Sequence, residues 1–152
     1  MNKGAILFVA ATSFASNANA NDLDTFIKYH STGCVLLNLS EHGLTLDDEL
    51  PKTTTNKIDS ECQQTFNNAV LYTKQFDLNK KVNGSTQPGK DFNLAKDNFF
   101  TGCFILEAKK ENYPLSIVKD KNSSEFRHVY TKCLSTMKKG ILAMREINLT
   151  YE

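Results

Sequence analysis

The chain reads as an all-α protein: a small helical bundle of two α-hairpins, stapled by disulfides. Three observations predict this. Apolar residues recur at helical spacing in four stretches, strand-like alternation is hard to find, and four cysteines fall at matching places in two similar halves. At 152 residues and 17.1 kDa, with 40% apolar and 23% charged residues, there is material for one ordinary core and not for a multidomain enzyme.

The first twenty residues read as a secretory signal. Met1-Asn2-Lys3 is a short positive start, Gly4 to Ala15 an apolar run of the right length, and Asn17-Ala18-Asn19-Ala20 a small-residue cleavage site. The expected mature chain, 21–152, begins at Asn21. The apolar run is shorter than the about 20 residues a membrane span needs, and no later stretch is longer. With 18 Lys and Arg against 17 Asp and Glu, no excess positive charge draws the chain to nucleic acid, and losing Lys3 with the leader leaves the balance even.

The first helix is expected to place Leu23, Phe26, Ile27, His30, Cys34 and Leu37 on one face, with Gly43 as its C-terminal cap. Ile58, Cys62, Phe66, Ala69, Tyr72 and Phe76 define the second. Phe92, Ala95, Phe99, Cys103 and Leu106 define the third, which must stop before Pro114 because the proline ring obstructs a continuing helix. The fourth carries Phe126, Tyr130, Cys133, Met137, Ile141 and Met144, with Asn122 and Glu125 as its start signal. The hairpins are 21–81 and 91–152, joined by the turn-rich linker 82–90, which holds Asn83-Gly84-Ser85 and Pro88-Gly89. Thr32-Gly33-Cys34-Val35-Leu36-Leu37 recurs as Thr101-Gly102-Cys103-Phe104-Ile105-Leu106. A second cysteine follows the first by 28 residues in one half and 30 in the other. Chance and internal duplication both remain open as readings of this repeat.

All four cysteines lie in the mature part, their number is even, and their spacing forms no Cys-x-x-Cys metal knuckle, so export favours two disulfides. An antiparallel hairpin brings a mid-helix cysteine opposite one on the returning helix, within the roughly 5.5 Å between Cα atoms that a disulfide needs. This predicts Cys34 with Cys62 and Cys103 with Cys133.

No catalytic residue, cofactor site or metal site is expected. His30, His42 and His128 occur singly, with no metalloprotease spacing, nucleophile elbow or phosphate-cradling glycine loop. His30 reads as a satisfied core histidine and His128 as solvated. Asp47-Asp48-Glu49 lacks the alternating ligands of a calcium loop and reads as a helix-starting acidic turn. Asparagine sequons occur at Asn38, Asn83, Asn122 and Asn148; Asn83 and Asn122, in expected loops, are the glycan acceptors to expect if the source has that machinery. Ten Phe and five Tyr are more than a generic helical core needs. The functional reading of this excess is a helix-lined apolar pocket formed by Phe92, Phe99, Phe104, Phe126, Tyr130 and Met137. The structural reading is ordinary core packing.

Over roughly residues 22–106 the chain resembles the insect odorant-binding and pheromone-binding family in its four-cysteine form. The carrying residues are Cys34, then Gly43-Leu44-Thr45-Leu46-Asp47-Asp48-Glu49-Leu50, similar to the pattern that opens the family's second helix, then Cys62 and the long gap to Cys103. The resemblance implies six helices around an apolar pocket, first-to-second and third-to-fourth cysteine pairing, and reversible carriage of a small hydrophobic molecule without chemistry. The interval from Cys103 to Cys133 is longer than the family's, and the internal repeat is not a family trait. The competing expectation is a secreted or periplasmic protein-interaction module, an inhibitor, immunity or venom or salivary-type factor, whose helical face docks on a protein partner.

Overall fold

A computed structural model describes residues 18–75 and 84–147. Most of the expected leader, Phe76, and the sequons at Asn83 and Asn148 lie outside the described residues. Four α-helices follow in order: α1 (Ala18–Glu41), α2 (Lys52–Gln75), α3 (Gln87–Lys110) and α4 (Ser124–Glu146), with a 3-10 turn at Leu115–Lys119 between the last two. Every helix touches every other, so they enclose one bundle. Among the described residues there is no strand, and no helix is long and apolar enough to cross a membrane. The described residues thus hold four α-helices and one 3-10 turn.

Local chemistry sets the helix ends. Gly43 adopts φ +67°, and the chain closes α1 with paired bonds from Gly43 N–H to Ser40 O (3.0 Å) and Leu44 N–H to Leu39 O (2.8 Å). Asn112 ends α3 the same way, at φ 57°, with Asn112 N–H to Lys109 O (3.2 Å) and Tyr113 N–H to Ala108 O (2.8 Å), just ahead of Pro114. Three expected starts move. Ser123, not Asn122, caps α4, because its hydroxyl accepts the Phe126 N–H at 3.1 Å. Thr86 caps α3 and Pro88 falls in its first turn, where a missing N–H costs nothing, so only part of segment 82–90 is linker. Asp47-Asp48-Glu49 starts no helix: α2 begins at Lys52, and Asp48 Oδ2 accepts from the Thr45 N–H and hydroxyl within the loop. Helix α1 begins at Ala18, so cleavage after Ala20 would remove only its first turn.

The largest apolar cluster draws Leu23, Phe26 and Tyr29 from α1, Phe66 and Val70 from α2, Phe99, Cys103 and Phe104 from α3, and Val129, Cys133 and Met144 from α4. A second cluster sits where α1 meets α2 around Cys34, Val35, Leu39, Ile58 and Cys62, covered by Leu44 and Leu50 of the connecting loop. Because α1 packs on all three other helices, its burial extends beyond the single face expected, to Tyr29, Val35 and Leu39. Tyr130, expected on the inward face of α4, is 41% exposed; Val129, Gly140 and Ala143 are buried in that helix.

Disulfides join Cys34 to Cys62 and Cys103 to Cys133, with Cα atoms 5.9 and 5.8 Å apart, one within each hairpin. The two halves share a plan that goes beyond the repeated Thr-Gly-Cys. Gly33 and Gly102, the starts and ends of α1 and α3, and the capping residues Gly43 and Asn112 are all separated by the same interval along the chain. The two glycines also meet reciprocally. A Cβ on Gly33 would collide with the Asn98 carbonyl and lie 2.8 Å from the Gly102 nitrogen; one on Gly102 would collide with the Tyr29 carbonyl and lie 2.7 Å from the Gly33 nitrogen. The hairpins therefore cross backbone to backbone, related by an approximate two-fold axis.

Candidate functional site

The aromatic residues divide between the interior and one face. Inside, Phe26 stacks on Phe99 with ring centroids 4.6 Å apart, and Phe99 meets Tyr29 edge-on at 5.5 Å. Both phenylalanines are fully buried. On the outer side of α3 and α4, four rings form a closed circuit: Phe104 to Phe100 at 6.3 Å, Phe100 to Tyr130 at 5.1 Å, Tyr130 to Phe126 at 5.7 Å and Phe126 to Phe104 at 5.4 Å. Phe104 is the buried floor of this group, Phe100 and Phe126 are half-buried, and Tyr130 is its exposed edge.

The six residues expected to line one pocket therefore lie in different places. Phe104, Phe126 and Tyr130 come together. Phe99 belongs to the central stack, Met137 packs against the main cluster, and Phe92 lies on the α2–α3 side, stacked on Tyr72 at 4.8 Å with the Lys96 ammonium 4.9 Å from its ring. Phe100 was not among the expected residues. Its signal was present as two aromatic pairs at i, i+4 spacing, Phe100 with Phe104 and Phe126 with Tyr130, each forming a continuous stripe along one helix. Because Phe99 points inward, its chain neighbour must face elsewhere, here toward α4.

A charged connection also runs between helices α1, α3 and α4. The Tyr29 hydroxyl donates to Glu107 Oε1, Lys132 pairs with Glu107 Oε2, and Lys132 also reaches Glu111 Oε1 at 3.6 Å. Burial and the Glu107 carboxylate both raise the Tyr29 pKa. Burial would raise Glu107 too, but hydrogen bonds from Lys132 and Tyr29 hold it below the usual carboxylate range, and Glu107 in turn raises Lys132. This arrangement keeps an ion pair charged and ties α1, α3 and α4 together. His128 lies on its exposed rim, 4.0 Å from Glu111 Oε1.

His30 departs from the expected satisfied core histidine. It is buried between Phe26 and Phe66; Nε2 lies 3.5 Å from Asn98 Nδ2, and Nδ1 has no partner among the described residues. Burial lowers its pKa from 6.5 to about 4. An unfolded chain therefore takes up this proton near pH 6.5 and the folded one only near pH 4, so stability falls as pH drops through that window. The expected loss is on the order of 3 kcal/mol. Urea unfolding at pH 7.5 and 4.5 should show a larger acid loss for the natural chain than for His30→Gln; equal losses would contradict the assignment.

Known families, curated proteins and solved structures were compared with this chain, and none matches it. The functional reading therefore rests on the aromatic face and the packing behind it. No group of three or more His, Cys, Asp or Glu residues able to hold a metal ion occurs among the described residues.

Proposed function

We propose that this is an exported binding protein that performs no bond chemistry and engages a protein partner through the half-open aromatic face of α3 and α4. The observation that carries the reading is the graded burial of the four-ring group, from Phe104 inside to Tyr130 outside. Large aromatic side chains at the centre of a surface patch, rimmed by charge, are the usual anchors of protein interfaces. The exposed side chains of Asp97 and Arg127 stand one helical turn from Phe100 and Tyr130 and supply such a rim. The leader and the paired cysteines support export. The buried Tyr29 and Glu107 support a non-catalytic role, since both are engaged, with the half-exposed Lys132, in joining helices.

Carriage of a small hydrophobic molecule, the other expectation for an aromatic-rich exported bundle, needs space between helices. The centre of this bundle is instead occupied by the Phe26–Phe99 stack and by the glycine contact between α1 and α3. Peptides selected from a displayed library on the natural chain should lose at least about tenfold in affinity on Tyr130→Ala, in line with a central aromatic anchor. The same peptides should keep their affinity on Leu94→Ala, an exposed apolar position elsewhere on α3. Selected peptides indifferent to Tyr130 would contradict the proposed face.

A further inference from the structure

We propose that the exported protein, made in a cell that N-glycosylates, carries an N-linked oligosaccharide on Asn122, and that a chain modified at Asn38 does not complete the fold. The two sequons are alike in sequence, Asn38-Leu39-Ser40 and Asn122-Ser123-Ser124, and differ entirely in setting. Asn122 is exposed in the turn that precedes α4. Its backbone N–H donates to Asp120 Oδ1 at 3.2 Å and its carbonyl accepts from Arg127 Nη2 at 3.0 Å, so Asn122 holds the turn through its main chain and its carboxamide takes no part in these bonds. Ser124, whose hydroxyl completes the sequon, is exposed as well, bonded only locally to Glu125 Oε2 at 2.9 Å.

Asn38 is half-buried on α1. Its Nδ2 donates to the Cys34 carbonyl at 2.9 Å and lies 3.6 and 3.9 Å from the sulfurs of Cys34 and Cys62. A sugar on that nitrogen would remove the hydrogen bond and stand where α2 closes on α1, so a chain modified there could not complete the first hairpin. In the transfer at Asn122, the carboxamide nitrogen attacks C1 of a polyprenyl-diphosphate-linked oligosaccharide. The bond from C1 to the phosphate oxygen breaks, the Nδ2–C1 bond forms, Nδ2 gives up one proton, and polyprenyl diphosphate leaves. The product is a bulky hydrophilic group on an exposed turn.

The test is secretion of the complete chain from a eukaryotic cell line. The product is then digested with a peptide N-glycosidase in heavy-oxygen water, which converts each occupied asparagine to a labelled aspartate, and mapped by peptide mass. The expected result is label at Asn122 that vanishes in Asn122→Gln and in Ser124→Ala and persists in Asn38→Gln. An unlabelled Asn122 peptide, label at Asn38 in the disulfide-bonded fraction, or a chain that stays in the cell without sugar would each overturn the proposal.

Discussion

Replacing either glycine of the helix crossing, Gly33→Ala or Gly102→Ala, is expected to lower stability by at least about 3 kcal/mol. The added methyl gains about 1 kcal/mol of helix propensity in each case, so a stabilising change would be expected if propensity decided the outcome. Contact decides it instead. On Gly33 the new carbon would meet the Asn98 carbonyl and the Gly102 nitrogen; on Gly102 it would meet the Tyr29 carbonyl and the Gly33 nitrogen. These are backbone atoms in helix interiors, which no rotamer change can move, so α1 and α3 must separate. Separation would loosen the Phe26–Phe99 stack and the Tyr29–Glu107 bond that span the same pair of helices. Gly43→Ala provides the comparison. Nothing lies within 4 Å of its Cβ position, and only the positive φ of 67° opposes the substitution, so its expected cost is about 1 kcal/mol. Urea unfolding of the three variants checks the ranking, and comparable losses at Gly43 and Gly33 would remove the glycine crossing as the organising contact.

Deleting a disulfide is expected to be comparably severe. Each closes a loop of similar length, with separations of 28 and 30 residues, for which chain entropy gives about 3 to 4 kcal/mol. Against a net stability of about 5 to 15 kcal/mol for such a domain, either loss is a large fraction. The two should still differ. Cys103 and Cys133 are both fully buried in the main cluster that all four helices share, whereas Cys34–Cys62 staples the smaller cluster where α1 meets α2. The double variant Cys103→Ala/Cys133→Ala therefore adds a packing defect at the centre, and it should unfold at lower urea than Cys34→Ala/Cys62→Ala. Equal midpoints, or a loss under about 1 kcal/mol for either pair, would contradict this.

Much of the architecture was legible because local rules were followed. The Gly43 cap, the stop ahead of Pro114 and the position of each cysteine on its helix depend on chemistry within a few residues, and hairpin geometry then leaves one natural sulfur pairing. The repeated Thr-Gly-Cys was visible too, but its meaning was not. That Gly33 meets Gly102 depends on how two hairpins cross, which no spacing within one helix encodes. The same limit applied to the aromatics. Phe92, Phe99 and Phe104 all suit an apolar face, and only the packing of α3 against all three other helices sends Phe99 to Phe26 on α1, Phe92 to Tyr72 on α2 and Phe104 to Phe126 on α4. His30 was legible as a core residue, whereas its unpartnered Nδ1 follows from Phe26 and Phe66 filling the space around the ring.

The proposed working part of this molecule is the outer ring of Phe100, Phe104, Phe126 and Tyr130, not a chamber between the helices. Titration of the intact, disulfide-bonded chain with N-phenyl-1-naphthylamine tests this most directly. No saturable one-to-one uptake is expected. Saturable uptake that is displaced by a long-chain alcohol and unchanged by Tyr130→Ala would place an apolar chamber inside the bundle and contradict the proposal.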